Sequence, residues 1–293
     1  MSSHLNLNST PTPTPTPTPN QKVFIITGAS DGIGAEMARQ LASRHGAGIG
    51  GIGLVLAARS QANLQTVADT CTGLGATCLV VATDVSVQSQ CQELIDKTIK
   101  HWGRIDGLIN NAGVSAQALF SDVKAADLHW YEQLMRVNLW GSVWCTHAAL
   151  PHLKASRGSI VAVSSLAGLI GVPGRTAYSA TKFAMTGFFE ALRSELRSAG
   201  VSVTTAFPGV VLTDIRTHGL NAQGLTAGSS GLKEDDAMGV EECAALILRG
   251  MDLREREVVM TRKGKLGRFI KLLFPAVVER MAMNALKDEV KPQ

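Results

Sequence analysis

Several signals are missing from this chain of 293 residues, and each absence excludes a class of function. No long apolar run stands out. The stretch Gly158–Gly174 carries no charge, but it contains Ser159, Ser164, Ser165, Pro173 and several glycines, so it reads as a buried strand and loop, not a span of about 20 apolar residues. No apolar segment precedes Lys22, the first Lys or Arg, so no signal peptide is expected and the cytoplasm is the expected compartment. No CxxC occurs. The five cysteines are odd in number and read as reduced thiols. No HExxH occurs either, and His147 and His152 are poorly spaced as helical ligands, so no metal is expected. Lys plus Arg outnumber Asp plus Glu by 28 to 24, and a net charge of +4 is too small to imply nucleic acid.

What is present is a globular balance, 45% hydrophobic and 18% charged. Residues 1–20 contain the repeat PTPTPTPTP from Pro11 to Pro19, which reads as a disordered or polyproline-like tail. From Lys22 a regular alternation begins. Strands are predicted at Val23–Ile26, Leu54–Ala57, Thr77–Ala82, Ile105–Ile109, Ser159–Val163, Val201–Ala206 and Val258–Met260. Helices are predicted at Ile33–Arg44, Gln61–Thr72, Val87–Trp102, Leu128–Leu153, Ala177–Ala199 and Val240–Met251. Strands alternating with helices predict an α/β fold: a Rossmann-type, doubly wound parallel sheet of about seven strands with helices on both faces, in one domain over 21–261. Residues 262–293 form a basic and apolar helical extension.

Directly after the first predicted strand comes Thr27-Gly28-Ala29-Ser30-Asp31-Gly32-Ile33-Gly34, running into a helix. Glycines allow close backbone approach to a pyrophosphate, and the helix terminus supplies amide donors and a positive dipole. Gly48-Ile49-Gly50-Gly51-Ile52-Gly53 also matches GxGxxG, but it precedes a strand and opens no helix, so it reads as a flexible insertion. The second strand ends Ala57-Ala58-Arg59-Ser60. A carboxylate there would bind the ribose hydroxyls of NAD; Arg59 instead suits the 2′-phosphate of NADP(H), which is the expected cofactor, with NAD less favoured. Asp84, after the third strand, is placed to contact the adenine.

Further motifs follow in order: Asn110-Asn111-Ala112-Gly113 after the fourth strand, Asn138 in VNLWG, Ser165 at the end of the fifth strand, Tyr178-Ser179-Ala180-Thr181-Lys182, then Pro208-Gly209 and Thr213. A lone YxxxK carries little weight; the ordered set is specific. It resembles the short-chain dehydrogenase/reductase family from about Val23 to Met260. The resemblance implies an NAD(P)-dependent oxidoreductase. It assigns catalysis to Asn138, Ser165, Tyr178 and Lys182. Cofactor binding falls to Gly28, Ser30, Asp31, Gly32, Ile33, Gly34, Asn111, Ala112, Gly113, Tyr178, Lys182, Pro208, Gly209 and Thr213, beside Arg59 and Asp84. Tyr178 and Lys182 stand at i and i+4, on one helix face. A free tyrosine titrates at about 10, too high for an efficient base, so Lys182 and the oxidised nicotinamide are expected to lower it to about 7. Ser165 is expected to polarise the reacting oxygen; Ser164 is the alternative. Asn138 is implied to order a water in a relay to Lys182. Family members that use NADP(H) often carry a basic residue where this chain has Asp31, which leaves Arg59 as the main phosphate contact.

Substrate signals are weaker. Thr213–Gly239 reads as a lid rich in Gly, Ser and Ala. Leu166, Ala167, Leu169, Ile170 and Val172 suggest an apolar wall with no charge before Arg175, which favours an apolar ketone or secondary alcohol. The long extension counts against a 3-oxoacyl carrier-protein reductase, and the full residue set counts against a silent NADP(H)-binding protein. A GxxGxxG, expected of a sugar epimerase, is lacking. The resemblance implies a homodimer or homotetramer through the long helices. In the extension, Phe269, Leu273 and Phe274 are expected on one helical face, buried against the lid or a neighbouring subunit, with Lys265, Arg268 and Lys271 snorkelling at its edge. Contact with a membrane surface is the alternative. Pro275 is expected to end this helix, and a second to span Ala276–Leu286.

Overall fold

The computed structural model describes residues 21–45, 51–228 and 237–290. The Pro/Thr repeat, part of the second glycine cluster and part of the expected lid lie outside the described residues. The strands are β1 (Lys22–Thr27), β2 (Ile52–Ala58), β3 (Thr77–Ala82), β4 (Gly107–Asn110), β5 (Ser159–Val163), β6 (Ser202–Phe207) and β7 (Glu257–Val259). The helices are α1 (Gly32–His45), α2 (Gln61–Gly73), α3 (Gln88–Trp102), α4 (His129–Met135), α5 (Gly141–Ser156), α6 (Thr176–Leu196), α7 (Val240–Asp252), α8 (Arg262–Leu273) and α9 (Pro275–Val290).

All seven strands are parallel, in the order β3-β2-β1-β4-β5-β6-β7. Their side chains alternate between two cores. Ile26, Leu54, Leu56 and Ile109 pack with α1, α2 and α7, whereas Val23, Ile25, Val55, Ala57 and Leu108 pack with α3, α5 and α6. Both faces are therefore dry, which is why the strands read as continuous apolar runs. The chain leaves β1 in one direction for β2 and β3, then returns past β1 to β4. This reversal opens a crevice at the carboxyl ends of β1 and β4, where ligands bind in sheets of this kind.

The expected elements are present, with instructive shifts. Ile105 precedes β4, which starts at Gly107. Gly53 of the second glycine cluster lies inside β2, because the Trp102 ring covers it and a Cβ there would stand 3.0 Å from Trp102. The long helix predicted at Leu128–Leu153 is interrupted: between α4 and α5 the backbone widens into a π turn at Arg136–Trp140. Such turns recur at functional sites, and this one contains Asn138.

Candidate active site

The glycine loop between β1 and α1 is locked to the loop after β4. The Thr27 hydroxyl accepts the amides of Asn111 (3.0 Å) and Ala112 (3.1 Å). The Asn111 side chain donates to the carbonyls of Thr27 and Gly28. Gly28 has φ +65°, and a Cβ there would lie 2.8 Å from Ala112 Cα; one on Gly34 would lie 2.1 Å from the Gly28 carbonyl oxygen. No side chain fits at either position, so the loop forms a bare-backbone cradle at the N-terminus of α1. Thr213 closes over it, its methyl 3.3 Å from where a Gly32 Cβ would be. An open cleft of about 420 Å³ runs here between Asp31, Gly32, Arg39, Leu212 and Thr213.

These residues fit a dinucleotide. The cradle suits a pyrophosphate, and Arg59 is exposed at the end of β2, with no hydrogen bond or ion pair among the described residues. Ser60 caps α2 through the Asn63 amide. Asp31 accepts the Gly32 amide at 2.6 Å, a negative charge placed on the helix terminus. Asp84 accepts the amide and hydroxyl of Ser86 with one carboxylate oxygen. Asn111 is committed to gripping the glycine loop. Pro208 is tied to the β5 end through its carbonyl, which accepts the Leu166 amide at 2.9 Å. Beside it, Gly209 abuts Thr261: a Cβ there would stand 3.0 Å from the threonine methyl.

The second half of the site lies past β5. Ser164 turns inward, its hydroxyl donating to the Lys182 carbonyl and bonded to Thr186 at 3.3 Å. Ser165 is extended, accepts the Ala167 amide, and stands beside the Tyr178 phenol, whose ionised form it favours. The geometry thus singles out Ser165. Lys182 Nζ lies 5.7 Å from the centre of the Tyr178 ring and donates to the Val163 carbonyl at 2.9 Å. Asn138 is fully buried. Its side chain accepts the Val114 amide (2.8 Å) and donates to the Val114 carbonyl and the Thr181 hydroxyl. A Cβ on Gly113 would be 3.2 Å from Asn138 Oδ1 and 3.7 Å from Lys182 Nζ, so the loop after β4 reaches this group too. Asn138, Ser165, Tyr178 and Lys182 are thereby gathered from the π turn, the β5 end and α6.

The electrostatics differ from expectation. Burial holds the Tyr178 phenol above its ordinary range; Ser165 and the charges of Arg175 and Arg216 pull it back down. The Lys182 ammonium is itself lowered to about 8 by burial. The protein alone therefore does not produce the expected drop toward 7.

A cavity of about 220 Å³ is lined by Ser115, Gln117, Arg175, Arg216 and Leu220 among others. Arg175 donates to Gln117 at 3.2 Å. In sequence, Arg175 reads only as the end of an apolar wall, and no motif points to Arg216 or Gln117. That wall is divided. Ala167 and Val172 pack with Tyr178 and Trp130, but Leu166 and Ile170 lie beneath α8. Among the described residues no group of His, Cys, Asp or Glu could hold a metal.

Residues 22–223 match the family model for short chain dehydrogenase. The chain is 35% identical to an 11-beta-hydroxysteroid dehydrogenase-like protein (number 2) of Arabidopsis thaliana, over 92% of this chain and 83% of that protein. It is 37% identical to 11-beta-hydroxysteroid dehydrogenase A of Arachis hypogaea, over 88% and 73%. A dehydrogenase/reductase SDR family protein 7-like of Dictyostelium discoideum is 32% identical, over 92% and 83%. Among solved structures, an alcohol dehydrogenase of Thermococcus sibiricus complexed with 5-hydroxy-NADP shares the fold, with a TM-score of 0.68 and 23% identity over 82% of this chain and 94% of that one.

Proposed function

The chain belongs to the short-chain dehydrogenase family and so is an NAD(P)-dependent oxidoreductase acting on CH–OH groups, and from that premise we propose that it interconverts a ketone or aldehyde and the corresponding alcohol, with NADP(H) preferred and Tyr178 as acid and base. The observation that carries this reading is the convergence of Ser165, Tyr178, Lys182 and Asn138 beside the glycine cradle. NADP(H), when bound, supplies or accepts the hydride. Arg59 holds the 2′-phosphate; the loop from Gly28 to Gly34 and Thr213 hold the pyrophosphate. Ser165 orients and polarises the substrate oxygen. Tyr178 gives its proton to that oxygen in reduction and takes one in oxidation. Burial favours the neutral phenol, the form that donates, while Ser165, Arg175 and Arg216 favour the phenolate. Lys182, close to the phenol, favours the phenolate that follows proton transfer. Asn138 fixes the Val114 backbone against α6 and so the distance between the two halves of the site.

The substrate has an apolar body, in keeping with Ala167 and Val172 beside Tyr178 and with relatives named as hydroxysteroid dehydrogenases. Arg175 and Arg216 at the adjoining cavity suit an electron-rich oxygen at one end of it. A panel of ketones and alcohols with NADPH and NADH, followed by nicotinamide absorbance, tests the reading. Turnover of lipophilic carbonyls with NADPH favoured is expected; turnover confined to acidic or sugar substrates, or an NADH preference, contradicts it.

A further inference from the structure

A surface helix ordinarily turns its apolar side inward, and α8 does the reverse. The face it presents to the protein is built on Gly264, Gly267, Arg268 and Lys271, with Ile270 half-buried. A Cβ on Gly264 would lie 2.5 Å from the Leu166 side chain, and one on Gly267 would lie 3.1 Å from Ile170. Arg268 pairs with Glu257 of β7, and Lys271 donates to the Leu169 carbonyl at 2.8 Å while lying 4.9 Å over the Phe183 ring. Small residues and ionic contacts thus dock the helix. The expected burial of the apolar stripe does not occur in the chain itself: Leu266, Phe269, Leu272, Leu273 and Phe274 are 61–76% exposed. The start of α9 extends the surface with Val277 and Met281, 46% and 63% exposed, while turning Val278 inward. An apolar patch of this kind marks an interaction site.

Charge identifies the occupant. Residues 261–278 hold Arg262, Lys263, Lys265, Arg268 and Lys271 and no carboxylate; the first is Glu279. Arg262 and Lys265 are exposed at the rim. A second copy, meeting this face across a two-fold axis, would set the same cations against each other. An anionic bilayer offers hydrocarbon for the apolar residues and opposite charge for the rim. Among the described residues no helix is long and apolar enough to cross a membrane, so the contact is interfacial. We propose that α8 and the start of α9 dock this protein on an anionic lipid surface, lying in its plane. The inner face of the helix rests on Leu166–Ile170, which follows Ser165 directly, so the docking helix packs on the chain segment carrying Ser165.

The test uses the full chain and vesicles of phosphatidylcholine with or without phosphatidylserine. Co-sedimentation with the phosphatidylserine vesicles at low salt, and release at high salt, is expected. Leu272→Glu with Leu273→Glu, two positions already facing solvent, should cut binding at least about tenfold. Arg262→Glu with Lys265→Glu should weaken it on anionic vesicles only. Unchanged thermal unfolding and NADPH binding show that the variants remain folded. No co-sedimentation, or undiminished binding by the double leucine variant, overturns the proposal, as does a dimer in vesicle-free buffer that this variant dissociates. None of these outcomes bears on carbonyl turnover, which the substrate panel reads separately.

Discussion

At Tyr178, burial and charge oppose one another. Burial wins in the protein alone, and the charges of Arg175 and Arg216 act in the other direction. Lys182 is subject to the same burial, which has a consequence for stability. Its folded pKa of about 8 lies below the ordinary 10.5, so between these values the unfolded chain binds more protons than the folded one. Stability from this group therefore rises from pH 8 to 10.5 and is lost as pH falls back through that window. Lys182→Met removes the dependence. Its unfolding free energy in urea, relative to wild type, should be larger at pH 7.5 than at 10.5 by about 3 kcal/mol; a difference independent of pH would mean that Lys182 is not a buried ammonium. Arg59 makes a separate prediction. Arg59→Ala should weaken NADPH binding by about 1.5–3 kcal/mol, the loss of a charge-assisted bond, and leave NADH nearly unchanged; titration with both cofactors checks it, and equal losses contradict it. Tyr178, Lys182 and Ser165 were legible as candidates because the ordered motifs of the family resemblance point to them. Arg216 and Gln117 were not, because they reach the cavity from segments a hundred residues apart, and no short pattern encodes that meeting.

Among the elements, the turn at Arg136–Trp140 and helix α8 separate what periodicity reveals from what it conceals. Apolar spacing revealed a long helix across residues 128–153, but the one-residue widening that seats Asn138 leaves that spacing almost unaltered. For α8, the sequence revealed the helix and its stop at Pro275. The stripe is not buried within the chain, because the docking face is built on Gly264 and Gly267, whose missing side chains admit Leu166 and Ile170. Gly264→Leu should therefore lift α8 off the β5 loop. A loss of about 1–3 kcal/mol is expected, with faster proteolysis after Met260 in limited digestion. Digestion at the wild-type rate would show that the helix does not rest on this contact.

For the whole molecule, the alternation of strands and helices made the parallel sheet legible, while the order of strands, and with it the crevice between β1 and β4, depends on pairings that no local pattern records. Assembly is a proposal at this scale. The helices over residues 129–156 and α6 are expected to pair with their copies, and Trp140, 47% exposed and stacked 5.9 Å from Trp144, is an apolar surface suited to it. Light scattering at micromolar concentration should give a dimer or tetramer; monomer alone would contradict it. The proposed catalytic group also belongs to the whole molecule, because its residues arrive from the π turn, the β5 end and α6. Tyr178→Phe removes one hydroxyl from that assembly and leaves the ring in place. If Tyr178 transfers the proton, the variant should bind NADPH with wild-type affinity, unfold at nearly the wild-type temperature, and lose at least about a hundredfold in kcat for carbonyl reduction. A variant that keeps more than about half of wild-type turnover would contradict the assignment of Tyr178 as the acid and base.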